Sequence, residues 1–374
     1  MPTYLIAPDS FKGSLSATAF CQIAQQVILQ RQPNATVITR PLSDGGDGFV
    51  DAFLYAGLAE EKTLWCSGPL GRKVKAKWAW MPDSKTAIIE MAQASGLTRL
   101  RPEERNPLQT HTRGTGQMIQ AAIDLGAKKI MLGLGGSATN DGGVGALSAL
   151  GIPFLNAQGK AIGLGGQALK ALHTIGNIPS PLLEIEWQLA CDVTNPLLGE
   201  QGATRVFGAQ KGLTPQAEPI LEQGLKNLAE KITLSTQVEV QHLIGSGAAG
   251  GMGAGFMGLL NAPMQSGFEV LSNHLKLNQL FEQHTIDVLI TGEGKIDAQT
   301  AHGKLPQRIA QFAKQQNPNC KTIGLCGSLT SNRQVLPEFD ALFSIISHPM
   351  NELTAIQNTP ALLAQTLDSI LGLY

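Results

Sequence analysis

Short apolar runs alternate with segments of helical periodicity at the amino-terminal end of the chain. The runs TYLIAP at residues 3–8 and ATVITR at residues 35–40 predict buried strands, because such runs bounded by turn residues are typical of strands covered on both faces. Between them, Ser14 or Ser16 could cap a helix whose apolar side chains share one face, and residues 49–55 continue a second helix. The pattern therefore predicts a β-α-β-α series.

The carboxyl-terminal end repeats this pattern. Apolar runs at residues 286–291, 321–326 and 341–346 predict three strands, and residues 305–314 and 361–373 have helical periodicity. Because alternating strands and helices favour a parallel sheet covered by helices, the two ends of the chain together predict one α/β domain.

The pattern changes between residues 62 and 92. Val74, Ala76, Trp78 and Trp80 alternate with polar positions, so strands joined by hairpin-type turns are predicted here. A helix at residues 116–125 and strands at residues 128–132 and 184–191 follow. We therefore expect a second α/β domain, residues 62–269, inserted into a parallel-sheet domain made of residues 1–61 and 270–374, with the ligand site in the cleft between them.

Composition and charge narrow the functional class. The chain has 374 residues and a net charge of −1, which disfavours a nucleic-acid surface or a polybasic membrane patch. No apolar run is long enough to cross a membrane, and the amino terminus does not resemble a signal peptide. The five cysteines show no CxxC spacing, so a cytoplasmic enzyme in a reducing compartment is predicted.

Many of the 42 glycines lie in loops that follow the predicted strands, together with Asp, Asn, Glu or Lys. Glycine allows backbone N–H groups to approach a phosphate, lysine neutralises phosphate oxygens, and carboxylates bind magnesium. The loops together therefore predict phosphoryl transfer. They are PDSFKGS (residues 8–14), LSDGGDG (42–48), LGLGGSATNDGGVG (132–145), DVTNPLLG (192–199), FGAQKG (207–212), GSGAAGGMGAG (245–255) and GEGKID (292–297).

Each of these features also has a purely structural explanation. An Asp-Gly pair is commonly a turn, the glycines at residues 250–258 fit tight packing, and Asp192 with Asn195 fits an Asx turn. GLGGSA at residues 133–138 matches a dinucleotide fingerprint, but no acidic residue follows at the expected distance of about twenty positions. The sequence contains no Walker A string, GxSxG elbow or zinc-ligand spacing.

The strings APDSFKGSLSA, PLSDGGDGF, GLGGSATNDGGVG, ACDVTNPLLG, FGAQKG, GAAGGMGAG and ITGEGKIDAQT resemble the motifs of the type-1 glycerate kinases. They occur in the family's order and, with the GK at residues 303–304, span residues 7–304. The chain departs from the family pattern at His111 and Arg113, where a hydroxyl residue and an aromatic are expected, and at Ala209, where proline is usual. These departures put in doubt only the finer details of how the site selects its substrate.

The resemblance implies a kinase that uses ATP and Mg²⁺ to phosphorylate D-glycerate, with no nucleic-acid or membrane partner and with a homodimer as one option. It also implies a discontinuous Rossmann-like domain and an inserted domain similar to a restriction-endonuclease core. Bacterial members usually act on the 2-hydroxyl, and the 3-hydroxyl or another small hydroxy acid is the alternative. An NAD-linked oxidoreductase and a non-catalytic nucleotide-binding regulator are the other classes left open.

Such a kinase needs a phosphate cradle, cations, a base, metal ligands and a group that binds the substrate carboxylate. We predict that Lys12 and Lys211 neutralise phosphate oxygens, and that Asp44 or Asp192 is the base. Asn140 and Asp141 would bind magnesium or fix their loop, and Asp47 would support the base. The predicted cofactor-binding residues are Ser10, Gly135, Gly136, Ser137, Ala138, Asn140, Gly250 and Gly251; the metal candidates are Asp47, Asp141, Glu293 and Asp297; and the substrate candidates are Arg72, Arg105, Arg113 and Asn195.

Overall fold

The amino-terminal segment folds into the predicted β-α-β-α series. In this computed structural model, which describes residues 1–296, 304–330 and 336–372, Ser16 caps the first helix: its Oγ accepts a hydrogen bond from the Ala19 N–H at 3.1 Å. The elements are strand β1 (Thr3–Ile6), helix α1 (Ala17–Arg31), strand β2 (Thr36–Thr39) and helix α2 (Phe49–Tyr55).

The middle of the chain begins with the three hairpin-type strands and continues with alternating strands and helices. Its elements are β3 (Glu60–Ser67), β4 (Lys73–Met81), β5 (Thr86–Glu90), α3 (Ala92–Ser95), α4 (Arg113–Asp124), β6 (Lys129–Gly133), α5 (Val144–Ala149), β7 (Phe154–Leu155), β8 (Thr174–Ile175), α6 (Ser180–Leu183), β9 (Glu186–Ala190), α7 (Ala203–Phe207), α8 (Glu218–Thr236), α9 (Ala248–Leu260) and β10 (Met264–Gln265).

The carboxyl-terminal segment returns to the strand–helix alternation. Its elements are α10 (Gly267–His274), α11 (Leu277–Gln283), β11 (Val288–Ile296), α12 (Leu305–Gln316), β12 (Lys321–Leu329), β13 (Ala341–Ser344) and α13 (Glu352–Leu371). In the described part of the chain, no helix has both the length and the apolar character needed to cross a bilayer.

Both ends of the chain form one unit, residues 1–57 with 268–374, which we call the terminal unit. Its sheet is entirely parallel, with the order β13-β12-β11-β1-β2. Counted along this unit, the order is 2-1-3-4-5, a doubly wound arrangement whose topological switch point lies between β1 and β11. Ligands of such sheets bind at the carboxyl ends of the strands beside that point.

The inserted unit, residues 58–267, has a sheet of order β10-β9-β6-β5-β4-β3. The strands from β10 to β5 are parallel, and β4 and β3 continue the sheet as antiparallel neighbours. Trp78 and Trp80 are buried on β4, as their alternation predicts, and Trp187 of β9 meets Phe256 of α9 edge to face. The predicted α/β class is confirmed; the predicted cleft between the domains stays a prediction.

Two predicted boundaries are wrong by several residues. Strand β11 continues to Ile296 instead of ending at Thr291, because it pairs with β12 along its whole length. Gly292 lies inside the strand, where a Cβ atom would come within 2.3 Å of the Leu325 carbonyl oxygen of β12. Helix α13 begins at Glu352 rather than residue 361, because Asn351 caps it and Pro360 is accommodated in its interior.

Candidate active site

The terminal unit places charged groups at the switch point of its sheet. Asp9 and Ser10 follow β1 and are 5% and 8% exposed, and the Asp9 N–H donates to the Gly292 carbonyl oxygen of β11. Asp44 follows β2; its Oδ2 lies 3.7 Å from the Lys12 Nζ, and its Oδ1 accepts from the Gly46 N–H at 2.9 Å. The loops after β1 and β2 therefore meet as an acidic cluster around one lysine.

Electrostatic crowding dominates this cluster. Burial, and then the charge of Asp44, raise the pKa of Asp9 well above its usual range. Burial also raises the pKa of Asp47, whereas Lys12 has a raised pKa because Asp44 stabilises its ammonium form. Glu293 lies 3.6 Å from the Lys304 Nζ. Among the described residues these contacts involve the carboxylates of Asp9, Asp44, Asp47 and Glu293 and the ammonium groups of Lys12 and Lys304, so an added cation or a shared proton would reduce the repulsion.

The inserted unit builds its site around the glycine loop, residues 134–143, between β6 and α5. Asp141 is 1% exposed and organises this loop. Its Oδ2 accepts from the Thr112 N–H at 2.8 Å, the Thr112 Oγ1 at 2.9 Å and the Gly145 N–H at 3.2 Å, and its Oδ1 accepts from the Gly143 N–H at 3.3 Å. One carboxylate therefore holds the amino-terminal ends of α4 and α5 together, where the helix dipoles favour a negative charge.

Lys211 lies under the glycine loop and is 2% exposed. Its Nζ donates to the Ser137 Oγ at 2.8 Å and to the Thr139 carbonyl oxygen at 2.7 Å. Burial lowers the pKa of Lys211 to about 7, while the charge of Asp141 acts in the opposite direction. These contacts favour a role of this ammonium group in positioning the loop, while its predicted role in neutralising phosphate oxygens stays a prediction.

The tip of the glycine loop is the part that faces solvent. Gly135 is half-buried and Gly136 is exposed with a φ of +74°, whereas the residues on either side of them are buried. Ala138 does not belong to the predicted cradle, because its N–H donates to the Ser95 carbonyl oxygen at 2.9 Å. The N–H groups of Gly135, Gly136 and Ser137 remain the predicted phosphate cradle.

Comparison with known proteins places the chain among its relatives. The model of the glycerate kinase family matches residues 4–374. Over 347 residues the chain is 43% identical to the glycerate 2-kinase of Escherichia coli K12, an alignment that covers 92% of this chain and 90% of that protein. It is 40% identical to the glycerate kinase of Halalkalibacterium halodurans, covering 99% and 97% of the two chains. The crystal structure of a glycerate kinase 2 from Salmonella typhimurium LT2 has a TM-score of 0.83 and 39% identity, covering 99% and 97%.

The chain belongs to the glycerate kinase family. The kinase class that the loops predicted is therefore confirmed, and the oxidoreductase alternative has no support.

The three candidate arginines differ in their surroundings. Arg72 Nη2 pairs with Glu104 at 2.8 Å, and Arg105 Nη1 donates to the Gln210 carbonyl oxygen at 3.3 Å. Arg113 is exposed at the first residue of α4, and none of the ion pairs among the described residues includes it. Arg113 is therefore the candidate whose guanidinium group is most available for a substrate carboxylate.

Other predicted site residues have structural contacts. Asn140 is buried and its Nδ2 donates to Thr204 Oγ1 at 3.1 Å, and Asn195 Nδ2 donates to the Gln201 carbonyl oxygen at 2.8 Å. Asp192, at the end of β9, has both carboxylate oxygens shielded from solvent. These contacts favour loop-fixing roles for the two asparagines, while a role of Asp192 as base stays a prediction.

Gly250 and Gly251 pack against the glycine loop instead of facing solvent. Both have left-handed φ values, and the Gly250 carbonyl oxygen accepts from the Gly142 N–H at 3.0 Å. A Cβ atom on Gly250 would lie 2.0 Å from the Thr139 carbonyl oxygen, which is the acceptor of Lys211. Tight packing, the structural alternative for these glycines, is therefore what the contacts support.

Gly250→Ala is expected to destabilise the protein by ~2–5 kcal/mol, because it adds left-handed strain and forces the backbone at Thr139 to move. Gly159→Ala is the matched control: φ is +70° there, but the added methyl group meets nothing within 4 Å, so about 1 kcal/mol is expected. Urea unfolding measures both. Equal losses of stability would contradict the packing role of Gly250.

The sequence predictions assign no role to two buried carboxylates. Asp9 lies in the segment PDSFKGS, in which roles are predicted only for Ser10 and Lys12. Glu90, at the end of β5, is 1% exposed, and its Oε2 accepts from Gln93 Nε2 at 3.2 Å. The available signal was a single acidic residue at the end of an otherwise apolar strand.

The magnesium ion implied by the family can be tested against the acidic cluster. Among residues 1–296, 304–330 and 336–372, no three acidic, histidine or cysteine side chains are arranged to hold a metal by themselves. Magnesium in kinases is commonly bound by one or two carboxylates together with substrate phosphates, and the crowded, poorly neutralised carboxylates near Lys12 fit that requirement. Asp141 does not fit, because four donors occupy its oxygens. Asp297 lies outside the described residues.

Proposed function

We propose that this chain transfers the γ-phosphoryl group of ATP to the 2-hydroxyl of D-glycerate in a magnesium-dependent reaction. The observation that carries the proposal is the fixed glycine loop: Asp141 and Lys211 hold its base, and its tip at Gly135 and Gly136 stays accessible to an anion. Family membership, and the name of the relative from Escherichia coli as a glycerate 2-kinase, support the substrate and the choice of hydroxyl.

The residues divide the chemistry between them. The N–H groups of Gly135, Gly136 and Ser137 would bind phosphate oxygens of ATP, and Lys12 would neutralise charge on the transferring group. Asp44 or Asp192 accepts the hydroxyl proton while the substrate oxygen bonds to the γ-phosphorus and the bond to the ADP oxygen breaks. Asp47 and Glu293 are the carboxylates that would hold Mg²⁺, which supplies further charge neutralisation when bound.

A coupled assay tests this proposal. Protein, ATP, Mg²⁺ and D-glycerate are incubated, enolase alone is added, and phosphoenolpyruvate is followed by its ultraviolet absorbance. A signal without phosphoglycerate mutase is the expected result, because enolase uses 2-phosphoglycerate directly. A signal that appears only after the mutase is added would show that the 3-hydroxyl is phosphorylated. Intact ATP with no signal would contradict a glycerate kinase activity.

A further inference from the structure

His111 lies in a rigid part of the inserted unit. The backbone N–H of His111 donates to the Pro69 carbonyl oxygen at 3.0 Å. The residue before it, Thr110, donates from Oγ1 to the Ala138 carbonyl oxygen at 2.8 Å, and the residue after it, Thr112, is bonded to Asp141 through both its N–H and its Oγ1. The backbone at His111 is therefore fixed against the glycine loop from both sides.

The imidazole of His111 carries an unsatisfied polar atom. The side chain is 6% exposed, and its Nδ1 has no hydrogen-bond partner among the described residues. A buried nitrogen without a partner costs free energy in the folded protein, and native structures retain few such groups. A ligand that binds at this point would satisfy it.

The charges around His111 define what it can bind. Burial lowers the pKa of His111, the charge of Asp141 raises it and that of Arg113 lowers it; the net decrease favours the neutral imidazole. A neutral imidazole nitrogen accepts or donates one hydrogen bond and therefore suits a hydroxyl group. The nearby guanidinium group of Arg113 suits a carboxylate.

We propose that His111 and Arg113 form a two-point subsite for a hydroxy acid, in which Arg113 pairs with the substrate carboxylate and the His111 Nδ1 hydrogen-bonds with a substrate hydroxyl. The assignment rests on the proposed function, because it deepens the choice of substrate made there.

The test is steady-state kinetics in the enolase-coupled assay. His111→Leu is expected to raise KM for D-glycerate by ~10–100-fold and to leave KM for ATP within about twofold. Its Tm should stay equal to that of the wild type or rise, since the variant removes a buried unsatisfied nitrogen. Arg113→Gln should raise the same KM by ~10-fold or more, because its amide cannot pair with a carboxylate as a charged group does.

Two further variants separate binding from folding. His111→Asn places a polar atom near the position of Nδ1 and should retain a KM within about threefold of the wild type, whereas His111→Gln, which reaches toward Nε2, should behave like His111→Leu. His173→Leu, at an exposed histidine of the same unit, is the control and should change nothing. An unchanged KM for glycerate in a folded, active His111→Leu protein overturns the subsite. A wild-type protein that forms no phosphoglycerate instead contradicts the proposed function.

Discussion

The Asp44→Asn and Asp192→Asn variants are expected to differ by ~10²–10⁴-fold in kcat, because only one of them removes the base that takes the proton of the substrate hydroxyl. Each candidate follows a strand end, at β2 and β9 respectively. Asp44 lies 3.7 Å from Lys12, whereas the oxygens of Asp192 are shielded from solvent. Steady-state kinetics at saturating ATP and D-glycerate measure kcat of both variants.

The pH profile separates loss of the base from loss of an ion pair. Asparagine at the base position removes the part of the acidic limb of the kcat profile that the base contributes, because asparagine cannot accept the proton. If Asp44 only holds Lys12, Asp44→Asn should keep that limb and lose activity to the same extent as Lys12→Met. Asp124→Asn, at an exposed residue of α4 bonded to Gln120, is the matched control. Near-normal turnover of both active-site variants would rule out both assignments.

Lys211→Met is expected to lower kcat/KM for ATP by ~10²-fold. The variant removes the donor to the Ser137 Oγ and the Thr139 carbonyl oxygen, so the N–H groups of the glycine loop are no longer held in position to bind phosphate. The control is Lys226→Met at an exposed position of α8, which should keep full activity. Wild-type kinetics for Lys211→Met would contradict the positioning role.

The same substitution changes how stability depends on pH. The pKa of Lys211 is lowered from its usual 10.5 to about 7 in the folded protein, so between these values the unfolded chain binds more protons than the folded one. This group therefore makes the free energy of unfolding rise with pH between about 7 and 10.5, by an amount on the order of a few kcal/mol. Lys211→Met lacks that contribution.

Urea unfolding at several pH values measures how much Lys211 contributes to the pH dependence of the free energy of unfolding. The stability of the wild type relative to Lys211→Met should be lowest near pH 6 and should increase toward pH 10. A difference that is independent of pH would show that the lysine does not titrate with a lowered pKa in the folded state.

Periodicity and loop chemistry alone were enough to predict the α/β class, most elements and the glycine loop. Alternation in β4 predicted which face is buried, and the string from residue 132 to 145 predicted an anion-binding loop with an acidic residue. These features depend on neighbours within a few positions along the chain, where hydrophobic period and turn chemistry are fixed by local sequence.

The tertiary structure alone decided which atoms meet. Lys211 contacts Ser137 of the glycine loop, 74 positions away in the sequence, and Asp141 bonds to the ends of two helices. Pairing with β12 extends β11 through the segment after Thr291 that was predicted to be a loop. Its contacts also favour the loop-fixing alternative for Asp141 over metal binding, and they leave the Nδ1 of His111 without a hydrogen-bond partner among the described residues. Burial, hydrogen-bond saturation and strand pairing depend on groups that are distant in sequence, so residue types and spacing indicated the chemistry while folding assigned each group its role.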